Sequence, residues 1–119
     1  MTAVHEIRQK LHARRLRHVS TLRQEASRLA EAAADLGAER VVLFGSLVSG
    51  NPGLASDVDL LIVWDTPLGT LERIAELYRR LAPQAPVDLL VYTPQEMETM
   101  ADRPFVRRAL AEGKVLYAA

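Results

Sequence analysis

The spacing of apolar residues changes along the chain, and each change marks a new element. From His5 to Leu36 there is no Gly or Pro, and Ala, Leu, Arg and Glu dominate, all good helix formers. Leu22, Ala26, Leu29, Ala33 and Leu36 follow one another by four, three, four and three residues, which lays a single apolar stripe on a helix. Upstream, Ile7, Leu11 and Val19 keep a looser rhythm, and Thr21 with Gln24 has the spacing of a capping box. The pattern therefore predicts a break near His18–Thr21 and either two helices or one kinked helix, stopped by Gly37.

Beyond Gly37 the apolar runs become short and β-branched. Val41-Val42-Leu43-Phe44 predicts a buried strand, and Gly45-Ser46 opens a short helical turn and loop through Ser56. A second strand is expected over Val58–Trp64. Thr66-Pro67 then opens a helix over Leu68–Leu81 with Leu71, Ile74, Ala75, Tyr78 and Leu81 on one face. Pro83 and Pro86 end it, and Val87–Tyr92 reads as a third strand. Thr93-Pro94 caps a short helix over Gln95–Met100; a last helix, Phe105–Glu112, stops at Gly113 before an extended piece, Lys114–Tyr117.

Helices alternating with short strands give an α/β class: a small mixed sheet flanked by helices, with an N-terminal helix or helix pair. The length of 119 residues suits one domain, with residues 1–36 as the helical segment and 37–119 as the core. Composition adds exclusions. Without cysteine there is no disulfide, thiolate metal site or cysteine nucleophile, which fits a reducing compartment, and the cytoplasm is the expected location. No apolar run approaches the roughly 18 residues of a membrane helix, so no membrane partner is expected. Net charge is zero, which argues against a global attraction to nucleic acid. Residues 1–40 nevertheless carry eight Lys/Arg against five acids, and residues 41–119 seven against ten. The basic segment reads as a solvated helix face.

The acids are placed where chemistry needs them. Asp57 and Asp59 bracket Val58 at the mouth of a strand, so the two-residue alternation of a strand turns both carboxylates to one side. Asp88 sits inside the third strand, where a carboxylate calls for compensating positive charge. Hard oxygen donors without His or Cys suit Mg²⁺ or Mn²⁺, and three such carboxylates could serve two ions about 3.5–4 Å apart. Directly after the first strand, Gly45 lets the backbone approach a bound group, and a turn starting at Ser46 aims N–H groups and a hydroxyl at phosphate. Together these are the requirements of phosphoryl or nucleotidyl transfer.

Phe44-Gly45-Ser46, ten intervening residues, Asp57-Val58-Asp59 and a later strand Asp88 resemble the nucleotidyltransferase superfamily that includes DNA polymerase beta, in its minimal single-domain branch. The similarity covers roughly residues 36–117, including the tail Phe105–Tyr117. The resemblance implies that Gly45 and Ser46 hold a nucleoside triphosphate, that Asp57 and Asp59 bind both metals, and that Asp88 helps one metal and activates the attacking hydroxyl. It implies transfer of AMP from ATP, or of another nucleoside monophosphate, to a hydroxyl. It also implies a place as antitoxin beside a small helical HEPN-type partner, which some relatives adenylylate. With one domain, the acceptor is expected on another chain. A silent antitoxin that acts by binding, and a small-molecule nucleotidyltransferase completed by another subunit, are the alternatives. The chain departs from the family in one place: many members carry an Arg shortly after Gly-Ser, where Leu47, Val48 and Ser49 stand here.

Other residues read more plainly. Ser56 is a loop cap whose hydroxyl is also in reach of phosphate. Trp64 and Tyr92 are packing residues. His5, His12 and His18, seven and six residues apart, are spaced too widely for a paired metal site on one turn and are expected to face solvent. Arg107 and Arg108 are expected on a solvated helix face.

Overall fold

The structure, a computed structural model, describes residues 2–119. Its elements are α1 (Ala3–Asp35), β1 (Arg40–Phe44), a 3₁₀ turn (Gly45–Leu47), β2 (Val58–Val63), α2 (Thr70–Leu81), β3 (Val87–Tyr92), α3 (Pro94–Met100), α4 (Pro104–Glu112) and β4 (Lys114–Ala118). The four strands form one mixed sheet in the order β3-β2-β1-β4. β1 is antiparallel to both of its neighbours, whereas β2 and β3 run parallel. The tail strand thus docks on the far edge of β1, closing a side that β2 leaves open.

The period-two alternation divides the sheet into two faces. Val41, Leu43, Leu60, Ile62, Leu89 and Val91 turn toward α1 and α2 and join Leu22, Leu29, Leu77 and Leu81 in the main core. Val42, Leu61 and Val63 turn the other way and meet Val106 of α4, with Leu90, Tyr92 and Met97 around them. Trp64 is buried in the main core and Tyr92 is half-buried against α3 and α4, so both pack as expected.

α1 is one unbroken helix, so the expected break near His18–Thr21 is absent. Val19, Leu22, Ala26, Leu29 and Ala33 stay on one buried face across that point. The capping-box spacing of Thr21 and Gln24 has no free helix start to act on, and Thr2 caps α1 instead, accepting from the His5 N–H at 3.3 Å. The N-terminal third runs past the sheet with Val4, Ile7 and Leu16 exposed. Glu25 fixes the other end. Buried at 6% exposure, it accepts from Arg28 Nε at 2.6 Å and from the Gln84 N–H, while Arg28 also donates to the carbonyls of Leu81 and Ala82.

α2 differs from its expected orientation. Leu71 is 82% exposed, and the buried face carries Arg73, Leu77 and Leu81 with Ile74 half-buried. The helix starts two residues later than Leu68, with Gly69 as its N-cap. The rotation follows from Arg73, which reaches inward and donates to the carbonyls of Leu68 and Val91 and to Glu96. A buried guanidinium with its donors satisfied joins α2, β3 and α3, which an apolar side chain there could not do. Thr93 caps α3 as expected, in a full capping box with Glu96.

Candidate active site

The site is assembled at one end of β1, β2 and β3. β1 leads from Phe44 into Gly45, whose φ of +79° puts it in the left-handed region that glycine alone enters at little cost. Space demands glycine as well, since a Cβ there would collide with Oδ2 of Asp59 and stand 3.1 Å from its Cγ. The chain then tightens into the 3₁₀ turn, with the Val48 and Ser49 N–H groups donating to the Gly45 carbonyl at 3.1 and 2.9 Å. Ser46 Oγ donates to Ser56 Oγ at 2.9 Å, and Ser56 Oγ accepts from the Gly53 N–H at 3.0 Å. Ser56, only 7% exposed, is therefore the clasp of the loop, the structural role expected of it.

The strand register brings the acids together. Asp59 stands opposite Phe44 on β1 and beside Asp88 on β3, and Asp57 follows Ser56 at the entry to β2. By parity Asp59 and Asp88 lie on the α3/α4 face of the sheet. Burial pushes the Asp59 carboxyl up to about 6, helped by the negative charges of Asp88 and then Asp57. Asp88 also contributes to the upward shift of Tyr78, whose main cause is burial. None of the ion pairs found among the described residues reaches Asp57, Asp59 or Asp88. Among the described residues no three His, Asp or Glu side chains are gathered closely enough to hold a metal ion. The arrangement is a close pair, Asp59 and Asp88, with Asp57 at its rim. Asp59 is half-buried, but Asp57 and Asp88 are exposed, so Asp88 is not the enclosed carboxylate expected inside β3 and water reaches its charge. What fits a divalent cation such as Mg²⁺ is the all-oxygen donor set of the pair.

Beside Asp59 lies a cleft of about 390 Å³ reaching from that carboxylate and the Gly45-Ser46 turn to Arg108 and Phe105 of α4, with Asp57 and Asp88 outside its lining. Phe105 meets Phe44 edge-to-face with ring centres 5.9 Å apart, giving the cleft an aromatic wall. Such a volume lies in the range of small-molecule sites. Arg108 thus borders the site, its exposed guanidinium meeting Glu112 through Nε alone at 3.3 Å. His18 departs from expectation too: a ring nitrogen lies 3.2 Å from the Ser56 carbonyl oxygen. Its sequence signal was the step of four to Leu22, which puts it beside the buried stripe.

A carboxylate pair on adjacent strands facing a Gly-Ser turn, on a mixed sheet with helices on both sides, defines the nucleotidyltransferase fold. The sequence matches the family described as Polymerase beta, Nucleotidyltransferase over residues 28–119, and the chain belongs to it as a minimal nucleotidyltransferase domain. Among solved structures the fold is similar to that of an inferred nucleotidyltransferase from Sulfolobus solfataricus, with a TM-score of 0.64 and 19% identity over 87% of this chain and 86% of that one. Comparison with curated proteins gives no match. Among the described residues no helix is long and apolar enough to cross a membrane.

Proposed function

We propose that the protein is an active, Mg²⁺-dependent nucleotidyltransferase that moves AMP from ATP to a hydroxyl on a partner protein. The observation that carries this reading is the close approach of Gly45 to Asp59 beside Asp88, which sets the Gly-Ser turn against two neighbouring carboxylates. Asp57, Asp59 and Asp88 would hold the cation, which neutralises phosphate charge and polarises the phosphorus under attack. Gly45 and Ser46 present backbone N–H groups to the phosphates, and the Ser46 hydroxyl, which donates to Ser56 in this structure, would turn from Ser56 to donate to phosphate. In the transfer, the acceptor oxygen bonds to the α-phosphorus and its proton passes to a site carboxylate. The bond from phosphorus to the bridging oxygen breaks, and diphosphate leaves with the electron pair.

The acceptor class rests on the resemblance to the minimal branch, whose members stand beside small helical HEPN-type proteins as antitoxins. The test is incubation with Mg²⁺ and α-labelled ATP, with and without a helical protein encoded beside it, against an Asp57→Ala/Asp59→Ala control. Label on the partner that disappears in the control supports the reading. A stable complex that never takes up label from any nucleotide overturns it.

A further inference from the structure

Two clefts meet at Ser46, and their linings have opposite character. The first holds Asp59 and its neighbours. The second, about 760 Å³, lies between the 51–56 loop and α1, which supplies His12, Arg15 and Arg23 to its wall opposite Ser46 and Ser56. No Asp or Glu is among its lining residues, and no ion pair among the described residues involves Arg15 or Arg23. His12, Arg15, Val19 and Arg23 recur every three or four residues, so one helical face is turned to the cleft.

This wall is fixed to the turn. Arg23 Nη2 donates to the Leu47 carbonyl at 3.2 Å, and His18 meets the Ser56 carbonyl oxygen at the same distance, so α1 grips both ends of the 45–56 loop. Transfer of a nucleoside monophosphate leaves the departing phosphates with extra negative charge, which needs cations placed in advance. Leu47, Val48 and Ser49 offer none, and Arg108, with Nε on Glu112, lines only the carboxylate-side cleft and not the one between the 51–56 loop and α1.

We propose that Arg15 and Arg23 of α1 bind the β- and γ-phosphates of a nucleoside triphosphate lying across the Gly45-Ser46 turn, with its α-phosphate at the carboxylates. This rests on the nucleotidyltransferase reading and adds to it a role for α1, where Arg15 and Arg23 both precede the stretch matched by the family. A helix positioned to complete the triphosphate site replaces the cation missing after Gly-Ser.

Calorimetric titration with Mg²⁺ present, using a non-hydrolysable α,β-methylene ATP analogue, AMP and inorganic tripolyphosphate, tests the idea. Arg15→Ala should weaken analogue and tripolyphosphate binding about tenfold or more, the worth of one charge-assisted contact, and leave AMP within about twofold. Arg15→Lys should recover most of the loss, and Arg15→Ala/Arg23→Ala should lose more than either single variant. Unchanged triphosphate affinity in folded Arg15→Ala, or an equal loss for AMP, overturns the proposal while leaving the function standing. Failure of the wild-type protein to bind any nucleoside triphosphate overturns both. The Arg15 side chain makes no hydrogen bond or ion pair among the described residues, so Arg15→Ala decides the matter even if changing Arg23, which donates to the Leu47 carbonyl, disturbs the turn.

Discussion

The two faces of the sheet are built for different purposes. Toward α1 and α2, the core runs without interruption from Val19 through Leu60 and Ile62 to Val91, and most of its members are almost fully buried. Toward α3 and α4, only Val42, Leu61, Val63 and Val106 are fully buried together, and the end of that face is given over to Asp59 and Asp88. Carboxylates held close together oppose folding, so they sit where packing is thin and are supported by the thick core behind them. Stability and chemistry are separated by the thickness of one sheet.

Substitutions on the two faces should therefore dissociate. The largest effect expected is on the chemical side: Asp59→Ala should lower transfer at least about a hundredfold, the usual scale for losing a group that acts on the reacting phosphate. A label-transfer assay checks this, and the variant should unfold no earlier than wild type. On the other face, Leu29→Ala should cost about 3 kcal/mol in chemical denaturation, because Leu29 is fully enclosed and its removal leaves a cavity. Transfer by the folded fraction should be retained.

Acidity gives a finer separation. A carboxyl raised to about 6 in the folded state contributes stability that is complete below its unfolded value of 3.8 and is lost as pH rises through 6. Without a divalent cation, Asp59→Asn should gain on wild type by about 2 kcal/mol between pH 4 and 7, and Mg²⁺ should cancel much of that gain at pH 7. Thermal unfolding across pH, with and without Mg²⁺, measures both. Glu25 on the opposite face runs the other way, since Arg28 and backbone N–H groups hold its carboxyl below the ordinary range. Its contribution is present above the unfolded value and is lost as pH falls, so Glu25→Gln should reduce the protein's tolerance of neutral pH more than of strong acid. Smallest of all, Thr93→Ala should cost about 1 kcal/mol by opening the α3 cap, and should not alter transfer.

The strands, the final helices and the placing of Asp59 beside Asp88 were legible because each depends on local periodicity and a parity rule, whereas Asp57 stays at the rim of that pair. The demand for glycine at position 45 was legible in kind, though its cause lies across the sheet in Asp59, fourteen residues away. What the sequence hid was tertiary. The α2 stripe looked apolar through Leu71, but Arg73 with three partners from Leu68, Val91 and Glu96 wins the inward face. The continuity of α1 through Thr21 is likewise a consequence of packing, which overrides a cap signal that local spacing imitates. His18 could be read only as a neighbour of the stripe, because the Ser56 carbonyl it meets is thirty-eight residues away. A basic helix face looks the same in sequence whether solvent or a cleft faces it.

The pairing of Asp59 with Asp88 has a consequence for the order of folding. Parallel strands cannot be joined by a hairpin, and α2 must cross between β2 and β3 before those residues become neighbours. The chain thus reaches its most repulsive contact through a long-range step, and an unfolded or half-formed molecule has no means of gathering the same carboxylates. On the proposed reading, affinity for a divalent cation would then belong to the finished sheet alone. During refolding, its appearance would time the closure of β2 on β3.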